Sequence, residues 1–225
     1  MKKTSAILLL SGSLAALPAG AEDPYQSFNR DVESFNASVD QHLLKPVTEG
    51  YVNITPDPAR TAVGNVVNNL SEPVTILNDL LQGKLTQAVQ VTARFIFNST
   101  FGLFGLIDIA TPMGLVRHDE DFGQTFATWG WMDSDYLNLP LLGPATVRDT
   151  SGKPISMMLT NYGLPFQVAR VLTLRESLMP VDPLIEKAPD RYVFVRDAYL
   201  QKREFDIHDG QSQTKNKLKD FDFSD

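Results

Sequence analysis

No cysteine occurs in the 225 residues. That absence excludes thiol nucleophiles, zinc–thiolate centres, disulfide stapling and attachment through a diacylglyceryl-cysteine. Histidine is scarce, three in all, and none stands at ligand spacing from another, so no metal site is expected. There is no nucleophile-elbow serine, no phosphate-cradling glycine loop and no dinucleotide fingerprint, so no cofactor or catalytic residue is expected. Basic residues are too few for a nucleic-acid partner: the formal net charge is −7 and the pI about 5.0. Strand-like alternation is weak, and internal repeats and long linkers are missing. The remaining pattern is all-α, a single domain of short to medium amphipathic helices joined by proline-led turns.

The N-terminus carries an export signal. Lys2 and Lys3 precede an apolar run, and Ala19-Gly20-Ala21 is a small-residue cleavage site followed by Glu22-Asp23-Pro24. Residues 1–21 are therefore expected to be removed, leaving a helical domain over 22–207 and a mobile polar tail over 208–225.

Residues 95–116 dominate the rest. These twenty-two residues carry one charge, Asp108, and as a helix they would reach across a bilayer core. Gly102, Gly105, Pro112 and Gly114 break the run, and lipid-exposed backbone tolerates such breaks only where its freed groups find partners. Two readings stay open: a buried core hairpin, or a segment that meets lipid without spanning it. In the second, Phe95, Phe97, Phe101, Leu103, Phe104, Leu106, Ile107 and Ile109 are the lipid contacts. Asp108 either caps a helix or has a functional role facing water.

Around this stretch, Phe28, Val32, Phe35, Val39 and Leu43 share one helical face, ended or bent at Pro46. Asp57-Pro58 signals a helix start with Asp57 as cap, and Ser71-Glu72-Pro73 signals another. Gly83 is expected to cap a C-terminus, and a further helix from Leu85 runs into the apolar stretch. Residues 117–121 form a charged turn in which His118 is solvated rather than metal-bound. Residues 122–142, with Trp129 and Trp131, hold no period and read as an irregular loop or hairpin. The indoles either fill a core or sit at a membrane–water boundary, and Gly130 between them permits a positive φ. Later helices begin near Val147, Pro165 and Pro189.

Several long, ungapped motifs then resemble the MlaA (VacJ) family of bacterial outer-membrane proteins. They include Asp23-Pro24-Tyr25, Phe28-Asn29-Arg30, Asn69-Leu70-x-Glu72-Pro73, Arg94-Phe95-x-Phe97-Asn98-Ser99-Thr100, Gly105-x-Ile107-Asp108, Glu120-Asp121-Phe122-Gly123-Gln124-Thr125, Leu139-Pro140-Leu141-Leu142-Gly143-Pro144 and Tyr192-x-x-Val195-Arg196-x-x-Tyr199. The resemblance covers nearly the whole mature chain. It implies a flat ring of helices in the inner leaflet of the outer membrane. A central channel beside a porin trimer takes mislocalised phospholipid from the outer leaflet to the periplasmic lipid carrier MlaC, maintaining lipid asymmetry. It implies transport, not an enzyme.

The resemblance favours the lipid-meeting reading of residues 95–116, places Asp108 on the channel side, and makes Trp129, Gly130, Trp131, Met132, Leu139 and Leu141 part of a gating hairpin. Two departures stand out. Members of the family are anchored through a cysteine, and this sequence has none, so retention is expected to rest on apolar burial and porin contact. Trp131-Met132-Asp133-Ser134-Asp135 also replaces a glycine-rich segment, which implies a stiffer or differently controlled gate. The alternative to an embedded ring is a soluble periplasmic module that folds the same apolar stretch around a lipid.

Overall fold

The computed structural model describes residues 23–210. The expected signal segment and the tail beyond 210 lie outside these. The chain opens with α1 (Gln26–Val39), a single π turn (Asp40–Leu44) and α2 (Lys45–Ile54). Pro46 does not end the helical run: it lies in the first turn of α2 directly after the π turn, and the backbone stays helical through Leu44 and Lys45. The 25-residue α3 (Asp57–Leu81) follows. Asp57 is not its cap. The N-cap position belongs to Pro56, and the Asp57 carboxylate pairs instead with Arg60 three residues on. Nor does Pro73 open a new helix. α3 runs through it with the ring exposed, while the preceding Glu72 is buried in an ion pair. Gly83 ends α3 as expected. Its φ of +75° allows the Lys84 N–H to reach Asp79 O (2.8 Å) and the Gly83 N–H to reach Leu80 O (3.1 Å), the paired bonds of a Schellman turn. Next comes α4, Leu85–Thr100.

The segment expected to be irregular contains regular structure. α5 (Phe122–Thr128) is capped by Asp121, whose Oδ1 accepts from the Gln124 N–H at 2.9 Å. An antiparallel hairpin then joins β1 (Tyr136–Leu139) to β2 (Gly143–Thr146), with Tyr136 opposite Thr146 and Leu139 opposite Gly143. Helix α1 closes the outer edge of β1. The Asn29 amide donates to Tyr136 O (3.1 Å) and accepts from the Asn138 N–H (2.8 Å). Two turns later Asn36 donates to Leu139 O (3.0 Å) and accepts from the Leu141 N–H (2.8 Å). Each side-chain amide takes the place of a peptide group in a parallel neighbouring strand.

Helices α6 (Val147–Leu159), α7 (Leu164–Leu178), α8 (Asp182–Lys187) and α9 (Arg191–Ile207) complete the chain. Thr146 caps α6, Pro165 sits in the first turn of α7, and Asp190 caps α9. The all-α class holds, with the small hairpin as its one addition among the described residues. The helices form a closed ring: α3 packs on α5, α5 on α6, α6 turns directly into α7, and α7 packs back on α3.

Polarity is reversed relative to a water-soluble bundle. Among the described residues, twenty buried side chains are polar or charged and only twelve are apolar, whereas large apolar side chains are exposed along most helices. The apolar face of α1 shows this. Phe28 and Phe35 point outward although Val32 between them is buried, and Asn29, Glu33 and Asn36 point in. Burying this many polar groups is tolerable only where most of them satisfy one another. The hydrogen bonds described here pair most of them, while nine buried side-chain polar atoms among the described residues, Glu72 Oε2 and Arg203 Nε included, have no partner.

Candidate functional site

The ring borders a half-open cavity of about 1080 Å³ walled by α3, α5, α6, α7 and α9. Its wall is built around Arg203 of α9. The guanidinium donates to both carboxylate oxygens of Asp121 (2.8 and 2.6 Å) and to Asp149 Oδ1 (2.8 Å), while the Tyr199 hydroxyl donates to Asp149 Oδ2 (2.6 Å). Burial works against the charge of Asp149, but Arg203, Tyr199 and Arg148 outweigh it and hold its pKa below the usual value. Burial pushes the Tyr199 phenol up, and the Asp149 charge pushes it further, so it stays a donor. Glycine makes the approach possible. A Cβ at Gly123 would stand 2.2 Å from Asp149 Oδ1, and one at Gly152 would stand 2.6 Å from Phe122 Cβ. Glu120, Asp121 and Gly123 were visible as a motif in the sequence. Arg203 and Asp149, 54 residues apart, come together only through the crossing of α5, α6 and α9.

Residues 101–116 form a hairpin beyond α4 that neither spans nor buries itself. Phe101, Leu103, Phe104, Leu106 and Ile107 are exposed, Phe104 at 85%, while Phe95, Phe97 and Ile109 are half-buried. No described helix is long and apolar enough to cross a membrane. The irregular backbone is satisfied from the polar side. Asn98 Oδ1 accepts from Ile109 N–H (2.8 Å) and Ala110 N–H (3.0 Å), Asn65 donates to Leu106 O (3.0 Å), and Gln90 donates to Val116 O (2.7 Å). Arg94, 2% exposed, donates to Glu72 (3.3 Å), Thr111 (3.1 Å) and Leu115 O. Gly102 and Gly105 are required, because a Cβ at either would fall within 2.8 Å of Asn98, Ile107 or Asn69.

Asp108 lies in this network and is not among the residues lining the cavity. The N-cap position of the short 3-10 turn Thr111–Met113 belongs to Ala110; the Asp108 carboxylate accepts from the Thr111 N–H (3.1 Å) and hydroxyl, and it stands 3.5 Å from Arg94. Burial opposes its ionisation. Thr111, Arg94 and Asn98 overcome that and hold the carboxyl below its ordinary value.

The expected gating residues lie on the connection from α5 to β2. Trp129 and Trp131 fill no core. Both are exposed and pack beside Phe126, and Trp129 Nε1 donates to Leu81 O (3.0 Å). Gly130 has φ +111° with nothing within 4 Å of a Cβ built there. Met132 and Leu141 are exposed and Leu139 is half-buried. Buried Arg148 holds the connection by donating to Trp131 O (3.1 Å) and Met132 O (2.8 Å).

His118, read as solvated, is partly buried and meets Asp79 at 3.1 Å. Asp79, His118 and Glu120 bring ligand atoms within 4.8 Å of one another, an arrangement hidden in sequence because Asp79 is 39 residues upstream. The Lys84 ammonium already fills the cationic role, donating to Glu120 Oε1 at 2.8 Å.

Comparison with known proteins accords with this architecture. A family model described as MlaA lipoprotein matches residues 21–206. The chain is similar to the intermembrane phospholipid transport system lipoprotein MlaA of Escherichia coli (strain K12), 32% identical over 206 residues, covering 85% of this chain and 81% of that one. The protein of the same name from Haemophilus influenzae is 31% identical, with 84% and 80% covered. An uncharacterised Rickettsia typhi protein is 32% identical over 195 residues, with 82% and 78% covered. A solved structure described as the structural basis for maintenance of bacterial outer membrane lipid asymmetry superposes with TM-score 0.72 at 30% identity, covering 83% of this chain and 99% of that one.

Proposed function

The chain belongs to the MlaA lipoprotein family, and from that premise we propose that it clears mislocalised phospholipid from the outer leaflet of a bacterial outer membrane. The headgroup passes through the cavity, along its charged residues, while the acyl chains stay against the apolar exterior. The lipid is then handed to a periplasmic carrier of the MlaC kind, beside a porin trimer. The observation that supports this reading is the reversed polarity of the ring, with buried polar side chains around a cavity of about 1080 Å³ and apolar side chains outside. A bilayer solvates such an exterior, and water solvates such an interior.

In this reading Phe101, Leu103, Phe104, Leu106 and Ile107 enter the acyl region of the inner leaflet. Phe95, Phe97 and Ile109 support them from beneath. Asp108 serves the hairpin rather than the channel, fixing the 3-10 turn at its base. Trp129 to Leu141, outside the cavity lining, forms a movable flap, pivoting at Gly130, with Leu139 on the side held by α1.

The test is a strain lacking the protein. Complementation should lower outer-leaflet phospholipid, and the protein should stay in the outer membrane through a carbonate wash. Release into the periplasmic fraction would favour the soluble lipid-binding module and remove the channel reading.

A further inference from the structure

The charges on the cavity wall do not cancel evenly. Each carboxylate there is already committed: Asp119 to Arg117, Glu120 and Asp209 to Lys84, Asp121 and Asp149 to Arg203, and Asp206 to Lys202. Two wall cations are left over. Lys153 on α6 and Arg170 on α7 line the cavity, and neither makes a hydrogen bond or salt bridge with a described residue. Each has a hydroxyl one turn along its helix on the same wall, Ser156 after Lys153 and Thr173 after Arg170. Two consecutive helices thus contribute a cation and a hydroxyl apiece to the lining of one cavity, Lys153 half-buried and Arg170 on its exposed side. Burial holds the Lys153 ammonium below its usual pKa, and the charges of Arg203 and Arg170 add to the effect, while Asp121 and Asp149 oppose it without reaching it. An anion entering between Lys153 and Arg170 would relieve that repulsion and gain charge-assisted hydrogen bonds.

We propose that Lys153 and Arg170, with Ser156 and Thr173, form the binding site for the phosphate of a glycerophospholipid headgroup inside the ring. This rests on the transport reading above and places the headgroup within it. A phosphodiester oxygen pair suits the planar Arg170 fork, and Lys153 serves as the point charge beside it. Inorganic phosphate shares this chemistry, so the test separates the two.

The experiment is calorimetric titration of the full chain in maltoside micelles with dihexanoylphosphatidylglycerol and, separately, with inorganic phosphate. The variants are Lys153→Gln, Arg170→Gln, the double variant and Lys153→Arg. The expected result is saturable binding of the short-chain lipid, weakened roughly ten- to a hundredfold by either single glutamine, as for loss of one charge-assisted hydrogen bond. The double variant should abolish binding and Lys153→Arg should retain it. Melting temperatures should not fall, because each glutamine removes a cation that has no protein partner, so lost binding is not lost folding. Binding that is indifferent to all four variants overturns the site. Phosphate binding that responds to the variants, with no lipid binding, overturns the headgroup assignment. Micellar binding needs no membrane residence, so a protein that fails the carbonate wash yet binds lipid through Lys153 and Arg170 refutes the ring-in-leaflet reading and leaves this site standing.

Discussion

Replacing Arg94 by methionine tests how the apolar hairpin is held. Arg94 and Glu72 are each 2% exposed and 3.3 Å apart. Removing one member of such a pair leaves the other as an uncompensated buried charge, at about 3–5 kcal/mol. For a chain of this size each kcal/mol moves the melting point by about 2–4 °C, so Arg94→Met should melt roughly 6–20 °C below wild type in detergent micelles. Arg94 also donates to Thr111 and Leu115 O. Amide exchange over residues 101–116 should therefore quicken more than that of α6 or α9.

Adding Glu72→Met to Arg94→Met removes the orphaned charge and should recover most of the loss, to within about 2 kcal/mol of wild type. Acidity gives an independent check. Burial raises the Glu72 pKa above its unfolded value, so the folded state holds the extra proton. The penalty is absent below the unfolded value and grows as pH rises through the folded one. The deficit of Arg94→Met should accordingly shrink between pH 8 and pH 5. A double variant no more stable than the single, or a deficit indifferent to pH, would refute the argument that buried charge governs this site.

Four further outcomes are expected. Gly123→Ala puts a Cβ 2.2 Å from Asp149 Oδ1, so urea unfolding should show a loss of about 2–3 kcal/mol, whereas alanine at Gly50, where a Cβ meets nothing within 4 Å, should not lower stability. Gly130→Pro demands φ near −65° where the chain has +111°, so lipid asymmetry should fail and detergent sensitivity rise; unchanged sensitivity would remove the hinge. The Asp149 pKa is lowered, so its stabilisation is present above the ordinary carboxylate value and lost as pH falls through the folded one. Asp149→Asn should accordingly flatten the acid limb of the stability curve. Phe104→Asp, at an 85% exposed position, should leave the melting point unmoved but weaken vesicle flotation by about 4–5 kcal/mol, combining lost burial with a charge placed in lipid.

Local backbone signals were legible where chemistry and geometry have one solution. Gly83 had to end α3, and Pro165 had to lie in a first turn. Asp57-Pro58 and Ser71-Glu72-Pro73 looked alike because both place an acid before a proline, yet one begins a helix and the other lies inside it. Only the burial of Glu72 against Arg94, 22 residues away, separates them. Helix α5 has seven residues and no full period to display, and β1 is recognisable only beside the asparagines of α1. The periodicity located the apolar faces but carried no direction, since the same stripe serves a core or a lipid surface. The cavity was hidden for a related reason: Lys153 and Arg170 read as ordinary surface cations until α6 and α7 bring both to the lining of one cavity.

The asparagine amides of α1 have a consequence for how copies of this chain meet. A strand with vacant pairing positions templates another strand and, repeated, a cross-β polymer. Asn29 and Asn36 occupy the vacancies, each supplying one donor and one acceptor. Aspartate, the same shape without a donor, cannot do this. Two carboxamides thus close this edge to a further strand, and they do so with a helix in the place where a third strand would otherwise add.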